Sequence, residues 1–168
     1  SHVYRCLFYG SGDTPDLRLI PKRRSSALTP HFSSRCSVAR SAAGELAKNE
    51  AGGNLILVSH ILGERGTRNT AAYGAAHAAT QSLVRSLAQE LGTKQISVNG
   101  ISLGWMDWMD DRIDPDVEDA GRAVRFSIMK RAGTAEEVGP MAVWLSGSGV
   151  GYVSGQVFTI DGGLLQHL

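Results

Sequence analysis

Residues 54–60 read Asn-Leu-Ile-Leu-Val-Ser-His, and residues 96–102 read Ile-Ser-Val-Asn-Gly-Ile-Ser. The run Leu55–Ser59 is continuous and mainly apolar, as expected for a parallel strand covered on both faces, and Ile96–Ser102 is expected to be the next strand. Between them, residues 71–91 carry leucines at four-residue spacing before Gly92, which predicts a helix that ends at a glycine in the C′ position. Strands and helices that alternate through short loops indicate an α/β layer with parallel strands.

Further segments carry the pattern of regular elements. Residues 11–30 contain three prolines and are expected to be mostly loop. The remaining predictions are a strand at Val3–Tyr9, a helix from about Phe32 to Asn49, a short helix within Asp116–Met129, a helix from the capping box at Thr134 to about Leu145, and a last strand at Val157–Ile160.

Length and composition limit the class of protein. A chain of 168 residues with 42% apolar content is long enough to form one domain with a hydrophobic core, but it is too short for two domains of ordinary size. A net charge of +1 gives no sign of a nucleic-acid or anionic-membrane partner. Two cysteines are too few for a disulfide framework, and no apolar run approaches the length of a membrane span. We therefore expect a cytoplasmic protein that binds neither nucleic acid nor membrane.

Four motifs occur in a fixed order along the chain. They are Tyr73-Gly-Ala-Ala-His77, Ile96-Ser-Val-Asn-Gly-Ile-Ser-Leu-Gly104, Lys130-Arg-Ala-Gly-Thr-Ala-Glu-Glu-Val138 and Gly151-Tyr-Val-Ser-Gly-Gln-Val-Phe-Thr-Ile-Asp-Gly-Gly163. Together they resemble the short-chain dehydrogenase/reductase family over about residues 32–165.

The resemblance implies a truncated Rossmann-like parallel sheet flanked by helices, without the N-terminal dinucleotide-binding strands. We expect residues 1–168 to form a single domain, with a divergent strand and loop in residues 1–31 and the family-like core in residues 32–165.

The same resemblance assigns the catalytic positions. In the family, a Tyr is the general acid/base, a Ser binds the substrate oxygen, and a Lys lowers the pKa of the Tyr and holds the nicotinamide ribose. Here Tyr73 is retained, whereas His60 stands at the Ser position and His77 at the Lys position. The Gly-rich phosphate loop and the acidic ribose-binding residue of the family do not occur in the chain. The sequence therefore predicts no cofactor.

The three side chains are expected to share one cleft. Tyr73 and His77 are four residues apart on a helix and so lie on one face, and His60 ends the neighbouring strand. An imidazole with a pKa near about 6.5 can act as a base, and a phenol with a pKa near about 10 can donate a proton. The alternative is a decayed dehydrogenase in which Tyr73 is merely packed and the histidines have no function.

Large apolar residues follow the strand at Ile96–Ser102. Trp105, Met106, Trp108 and Met109 lie where the family forms its substrate lobe, which favours a small hydrophobic substrate. The alternative interpretation is that these side chains only cover the core.

These observations favour a cofactor-independent, non-redox enzyme of the isomerase, cyclase or dehydratase type, with secondary metabolism as a setting by analogy. One alternative is an NAD(P)H-dependent oxidoreductase that completes its cofactor site with a partner chain. The other is a non-catalytic pseudoenzyme subunit. In the family, the helices corresponding to residues 32–50 and 71–91 pack against their copies, so we also expect a homo-oligomer.

Overall fold

A computed structural model of the chain describes the backbone of residues 25–67, 70–112 and 119–166. Side chains are described for residues 34–67, 70–109 and 123–166. The predicted strand at Val3–Tyr9 and the basic residues around it lie outside these ranges.

Strands alternate with helices in the described residues, with two successive helices before the last strand. In chain order the elements are α1 (Ser25–Leu46), β1 (Gly53–His60), α2 (Ala71–Leu91), β2 (Ile96–Leu103), α3 (Asp119–Phe126), α4 (Ala135–Leu145) and β3 (Val157–Ile160). The strands form a parallel sheet in the order β1-β2-β3. Strand β1 pairs with the whole of β2, from Gly53 opposite Ile96 to His60 opposite Leu103. The predicted α/β class with a parallel sheet is confirmed.

The two faces of the sheet carry separate apolar layers, because successive side chains of a strand point to opposite faces. On one face, Leu55, Leu57 and Val98 pack with the inner sides of α1 and α2. On the other face, residues such as Ile56 and Val58 pack with the inner side of α4. The sheet therefore lies between two helical layers, and its strand ends remain available for a site.

Helix α1 begins earlier than the sequence predicts. Residues 11–30 were expected to be mostly loop, yet the helix starts at Ser25 and includes Pro30 in its second turn. A proline removes one backbone donor, but a long helix draws most of its stability from packing against the rest of the molecule. Ala39, Ala42 and Leu46 supply that packing against the sheet.

Helix α2 ends at the predicted residue, but the glycine that follows it does not have the predicted conformation. Gly92 has φ −58° and continues into a short 3₁₀ turn, so it is not the left-handed C′ glycine that was expected. The left-handed residue is Gln95, at φ 56°. The chain therefore changes direction toward β2 at Gln95, after the 3₁₀ turn, and not at Gly92 as the sequence predicts.

Trp144 is not a core residue, although its position on an apolar helix favours burial. Its side chain is 48% exposed and contacts the edge of the Phe158 ring. The buried face of α4 is instead formed by Val138, Ala142 and Leu145. Within the described part of the chain, no helix is both long enough and apolar enough to cross a membrane.

Candidate active site

His60 ends β1 at the edge where the carboxyl ends of β1 and β2 meet. Its ring is 7% exposed and caps the short turn Ile61–Gly63, because Nδ1 accepts a hydrogen bond from the backbone N–H of Leu62 at 3.1 Å. In open α/β sheets, ligands bind outside the carboxyl ends of the strands. His60 is therefore fixed at the edge of the sheet where such a ligand would be expected.

Helix α2 brings the other two rings to the same place. The ring centroids of Tyr73 and His77 are 4.3 Å apart, as their four-residue spacing predicts. The His60 ring lies 5.5 Å from Tyr73 and 5.8 Å from His77. His77 is 6% exposed, and Tyr73 is half-buried. The predicted convergence of the three side chains is confirmed as geometry, while their catalytic roles remain predictions.

Two glycines allow the turn after β1 to lie directly on α2. A Cβ atom on Gly63 would lie 2.6 Å from the backbone nitrogen of Ala78, and one on Gly74 would lie 2.6 Å from the carbonyl oxygen of Leu62. Real Cβ atoms do not approach backbone atoms so closely. The spacing between His60 and the helix is thus determined by contact between two main chains.

Burial keeps the His60 imidazole neutral at physiological pH. Desolvation lowers its pKa from 6.5 to about 4. A neutral imidazole carries one proton, and Nδ1 is already an acceptor for the N–H of Leu62, so that proton belongs on Nε2. His60 therefore offers an N–H donor, which is what a serine hydroxyl would offer at the same place.

Gln81 is a buried polar residue of the site region that the sequence analysis did not identify. Its Nε2 donates to Glu64 Oε1 at 3.0 Å and lies 3.3–3.4 Å from Ser59 Oγ, Ser102 Oγ and the carbonyl oxygen of His60. Gln81 thus joins α2 to the ends of both neighbouring strands. Its position four residues after His77 is the signal that could have identified it.

Arg35 is a second residue that was not singled out. It is 6% exposed on α1, and Nη1 donates to Thr80 Oγ1 on α2 at 2.8 Å. Burial lowers the pKa of Arg35, whereas its electrostatic interaction with Tyr73 raises it. A buried guanidinium thus lies within electrostatic range of the site. The sequence places Arg35 among the basic residues of 1–40, which gives no sign of burial.

The residues of the predicted substrate lobe lie beyond β2. Met106 is 1% exposed and belongs to the core beneath α4, against which Trp108 and Met109 are partly buried. Trp105 is half-buried. These positions agree with covering the core, and their binding of a hydrophobic substrate stays a prediction. Among the described side chains, no group of three or more His, Cys, Asp or Glu residues could hold a metal ion.

The chain is similar in sequence to several known proteins. The family model described as enoyl-(acyl carrier protein) reductase matches residues 22–165. The 7α-hydroxysteroid dehydrogenase of Escherichia coli is 32% identical over 128 residues, covering 75% of this chain and 49% of that protein. The 3-oxoacyl-[acyl-carrier-protein] reductase MabA of Mycobacterium tuberculosis is 27% identical, covering 92% of this chain and 62% of that protein.

A solved structure is similar over nearly the whole chain. It is a Beutenbergia cavernae protein described as a candidate NAD(P)-dependent gluconate 5-dehydrogenase with NADP bound at low occupancy. The match has a TM-score of 0.83 and 26% identity, covering 98% of this chain and 66% of that one. The chain spans about half to two thirds of the length of the proteins to which it is similar.

The expectation of a cofactor-independent isomerase, cyclase or dehydratase is wrong. The similar proteins are named as dehydrogenases and reductases, and one of them binds NADP. The expectation rested on the absence of a Gly-rich loop and on histidines at the family's Ser and Lys positions. The absence of the loop carries no information about the reaction, because the chain spans only part of the length of its relatives. A match over residues 22–165, together with the parallel sheet and the position of Tyr73, leads to one conclusion: the chain belongs to the short-chain dehydrogenase/reductase family.

Proposed function

We propose that this chain carries the proton-transfer site of a nicotinamide-dependent oxidoreductase that interconverts a carbonyl compound and an alcohol. The observation that carries the proposal is the packing of the Tyr73 ring against both imidazoles at the carboxyl edge of the sheet, with centroids 4.3 and 5.5 Å away. The redox activities named for the similar proteins support the same reaction class.

A nicotinamide cofactor would supply the hydride that reduces the carbonyl carbon, and would itself be oxidised. The proton for the carbonyl oxygen comes from the Tyr73 hydroxyl, which returns to its protonated form from solvent. In the opposite direction, the tyrosine takes the proton from the alcohol as the hydride leaves. A general acid that donates in this way typically contributes a factor of about a hundred or more to the rate.

His60 would bind the substrate oxygen as a neutral hydrogen-bond donor. Its Nδ1 is held by the Leu62 N–H, so Nε2–H is the group available for a ligand. The low pKa of His60, about 4, keeps it from competing with Tyr73 as a proton donor near neutral pH. On this proposal, His60 orients the carbonyl and Tyr73 protonates it.

The chemistry of the donor set fits the nicotinamide end of the cofactor. A ribose and a carboxamide are neutral and form hydrogen bonds, and the edge presents phenol and imidazole groups that do the same. His77 is the residue that would hold the ribose. No phosphate-binding role is assigned to the described residues. The rest of the dinucleotide site would come from a longer polypeptide or from a partner chain.

The test measures oxidation of NADH and NADPH with a set of aliphatic and polycyclic ketones, using this chain and the longest natural polypeptide that contains it. We expect turnover with at least one ketone and a loss of about a hundredfold or more in Tyr73→Phe. Tyr152→Phe is the matched control, because Tyr152 is fully exposed, and it should retain the wild-type rate. Equal rates in the two variants would remove Tyr73 from the reaction.

A non-catalytic role is the second candidate, and one observation favours it. The lysine position of the family is occupied by His77, a buried imidazole without a permanent charge. Binding of NADP(H) without turnover of any ketone would support this role over catalysis.

We further propose a cytoplasmic, homo-oligomeric protein with a small hydrophobic substrate. The chain has two cysteines, and Cys36 forms no disulfide. Helices α1 and α2 both present small residues at the surface, such as Gly44, Ala71 and Ala75, which would permit close approach of a second copy. Light scattering at micromolar concentration should give a mass of at least twice 17.9 kDa, and a stable monomer would contradict the proposal.

A further inference from the structure

The turn after β3 lies at the same edge of the sheet as the candidate active site. His60, Leu103 and Ile160 occupy matching positions in the three strands, since His60 pairs with Leu103 and Leu103 pairs with Ile160. Neighbouring strands lie about 4.8 Å apart, so residues 161–166 begin about 10 Å from the end of β1. The chain therefore leaves the three strands side by side, with Gly104 in the middle.

Residues 161–166 form a tight turn that is held by its own hydrogen bonds. The Asp161 carboxylate accepts from the backbone N–H of Gly163 at 2.9 Å and from that of Leu165 at 2.7 Å. Gly162 and Gly163 have positive φ angles of 58° and 80°, a conformation that glycine adopts without steric cost. The backbone of the turn is therefore well defined, and its carbonyl oxygens can serve as fixed acceptors.

Arg65 joins this turn to the turn after β1. It follows His60 by five residues, is half-buried, and donates from Nη1 to the carbonyl oxygen of Leu164 at 2.7 Å. Strand β2 lies between β1 and β3, so the arginine side chain links the two sides of β2. Hydrogen bonds from a charged donor are shorter and stronger than those between neutral groups. Arg65 therefore connects segments that lie beyond the last paired residues of the sheet.

The turn after β3 also contacts the residue that precedes the segment 105–109. The backbone N–H of Gly104 donates to the carbonyl oxygen of Ile160 at 2.8 Å. A Cβ atom on Gly104 would lie 2.5 Å from Cα of Asp161, so the two main chains are in direct contact. Trp105 is the next residue. The position of the turn therefore determines where the segment 105–109 leaves the sheet.

A second set of hydrogen bonds links the same turn to the same segment. The carbonyl oxygen of Gly162 accepts from the backbone N–H groups of Ile128 at 2.9 Å and Met129 at 3.1 Å. Gly133 follows Met129 by four residues, and its N–H donates to the carbonyl oxygen of Trp105 at 2.9 Å. A displacement of the turn would thus be transmitted to Trp105 from two directions.

We propose that Arg65 is a positioning residue, which holds the turn after β3 in place and thereby fixes the segment 105–109 relative to His60. The inference rests on the proposed function in one respect, since that segment is taken to contact the substrate. The link between Arg65 and the segment can be measured without a substrate.

The two halves of the site should respond differently to loss of Arg65. Without its hydrogen bond, the segment 105–109 would sample more positions, and ordering it on binding would cost conformational entropy. The spacing between His60 and α2 does not depend on Arg65, because it is determined by main-chain contact at Gly63 and Gly74. Substrate binding should therefore be weakened more than proton transfer is slowed.

The first test observes the segment directly, without cofactor or substrate. The full chain is labelled with 5-fluorotryptophan, and its three tryptophan resonances are assigned from Trp105→Phe, Trp108→Phe and Trp144→Phe. We expect Arg65→Met to shift the ¹⁹F resonance of Trp105 by more than its linewidth, or to split it. The resonance of Trp144 should stay in place, because Trp144 lies on α4 and contacts Phe158.

Three further variants separate this hydrogen bond from a general disturbance. Arg85→Met removes an exposed arginine from α2 and should leave all three resonances unchanged. Arg65→Lys keeps a charged donor, so its Trp105 resonance should lie closer to the wild-type position than that of Arg65→Met. Asp161→Asn cannot accept from both N–H groups of the turn, so it should also shift the Trp105 resonance.

Asp161→Asn provides the measurement if Arg65→Met fails to fold. The proposal is overturned if Arg65→Met, or Asp161→Asn in its place, leaves the Trp105 resonance at its wild-type position and width.

The second test uses the ketone assay. Arg65→Met should raise KM about tenfold and lower kcat by less than about threefold, which is the pattern of lost substrate binding. Arg65→Lys should recover part of the change in KM. A merely structural role would instead lower the fraction of folded enzyme, which reduces the apparent kcat and leaves KM unchanged. A wild-type KM in an active Arg65→Met enzyme would overturn the role of Arg65 in substrate binding.

Failure of this proposal and failure of the proposed function give different results. A shifted Trp105 resonance in a protein that reduces no ketone would uphold the positioning role of Arg65 and reject the oxidoreductase proposal. An unchanged resonance in a protein that reduces a ketone would do the reverse.

Discussion

The two ends of helix α2 bury different chemistry against the same sheet. Toward its C-terminus, Val84, Leu87 and Leu91 pack into the apolar layer shared with α1 and the strands. Toward its N-terminus, the buried positions include His77 and Gln81, which contact other polar groups. One helix thus supplies folding energy at one end and a candidate active site at the other.

This difference shows how apolar burial at one end of the helix offsets the unfavourable burial of polar side chains at the other end. Apolar burial contributes roughly 25 cal/mol per Å², whereas a buried polar group is unfavourable unless hydrogen bonds or charges compensate it. The apolar end anchors the helix, and the polar end can then hold His77 in a buried position. Substitutions at the polar end should therefore change chemistry, and those at the apolar end should change stability.

After Tyr73, the largest effect on turnover is expected from His60, the hydrogen-bond donor of the polar end. His60→Ala removes the proposed contact to the substrate oxygen and should lower kcat about a hundredfold, as loss of an oxyanion donor does. His77→Ala should lower kcat by less. His60→Gln keeps an N–H donor and is the matched control, expected between wild type and His60→Ala. Steady-state kinetics with the preferred ketone provide the measurement, and a fully active His60→Ala would exclude the contact.

At the apolar end, Leu87→Ala should lower the free energy of unfolding by about 3 kcal/mol, because it leaves a cavity in the layer beneath α2. The kcat with the preferred ketone should not change. Ser86→Ala, at the exposed neighbouring position, is the control and should be nearly neutral. Urea denaturation measures the free energy of unfolding of both variants. If Leu87→Ala also lowered kcat, the two ends of the helix would not be separable.

The pH dependence of stability tests the burial of His60. Its pKa is about 4 in the folded protein and near 6.5 when unfolded, so the unfolded chain binds more protons between these values. The stabilising contribution is present above pH 6.5 and is lost as pH falls toward 4. We expect a loss of about 2 kcal/mol between about pH 7 and pH 5.

His60→Asn can still accept from the Leu62 N–H but does not titrate, so its stability should depend less on pH. Chemical denaturation of both proteins across the range gives the difference. Parallel curves would mean that His60 is not buried as a neutral ring.

The smallest effect is expected far from α2. The Glu137 carboxylate accepts from the backbone N–H of Thr134 at 3.0 Å, as part of the capping box that begins α4. Thr134→Ala should cost about 1 kcal/mol of stability with kcat unchanged. Thr134→Ser, which keeps the hydroxyl, is the control. A change in kcat would show that the α4 side of the sheet also influences the site.

Local signals predicted much of this fold. The bounds of α2, α4 and β3 agree with the sequence prediction, because leucine spacing and the capping box act within a few residues. The start of α1 was missed, since Pro30 indicates a break that tertiary packing overrides. Convergence of His60, Tyr73 and His77 was predictable because parallel strands end at one edge.

Arg35 and the reaction class could not be predicted in the same way. A basic residue in an alanine-rich helix is normally solvated, and its burial depends on where α1 meets α2, which no local pattern encodes. The predicted reaction class was wrong because it was inferred from a missing Gly-rich loop and from histidines at the family's Ser and Lys positions, whereas the similar proteins are named as dehydrogenases and reductases.

The contacts at Gly63 and Gly74 have a consequence for ligand entry. Since the turn and the helix are in main-chain contact, the separation between His60 and Tyr73 is fixed by the backbone and not by side chains that could rearrange. A substrate would meet a preorganised pair of donors, so no part of its binding energy would be consumed in assembling them. Discrimination among substrates would then depend on residues 105–109, the segment after β2 that carries two tryptophans and two methionines. Selection for a new substrate should therefore change residues in this segment and leave Gly63 and Gly74 unchanged.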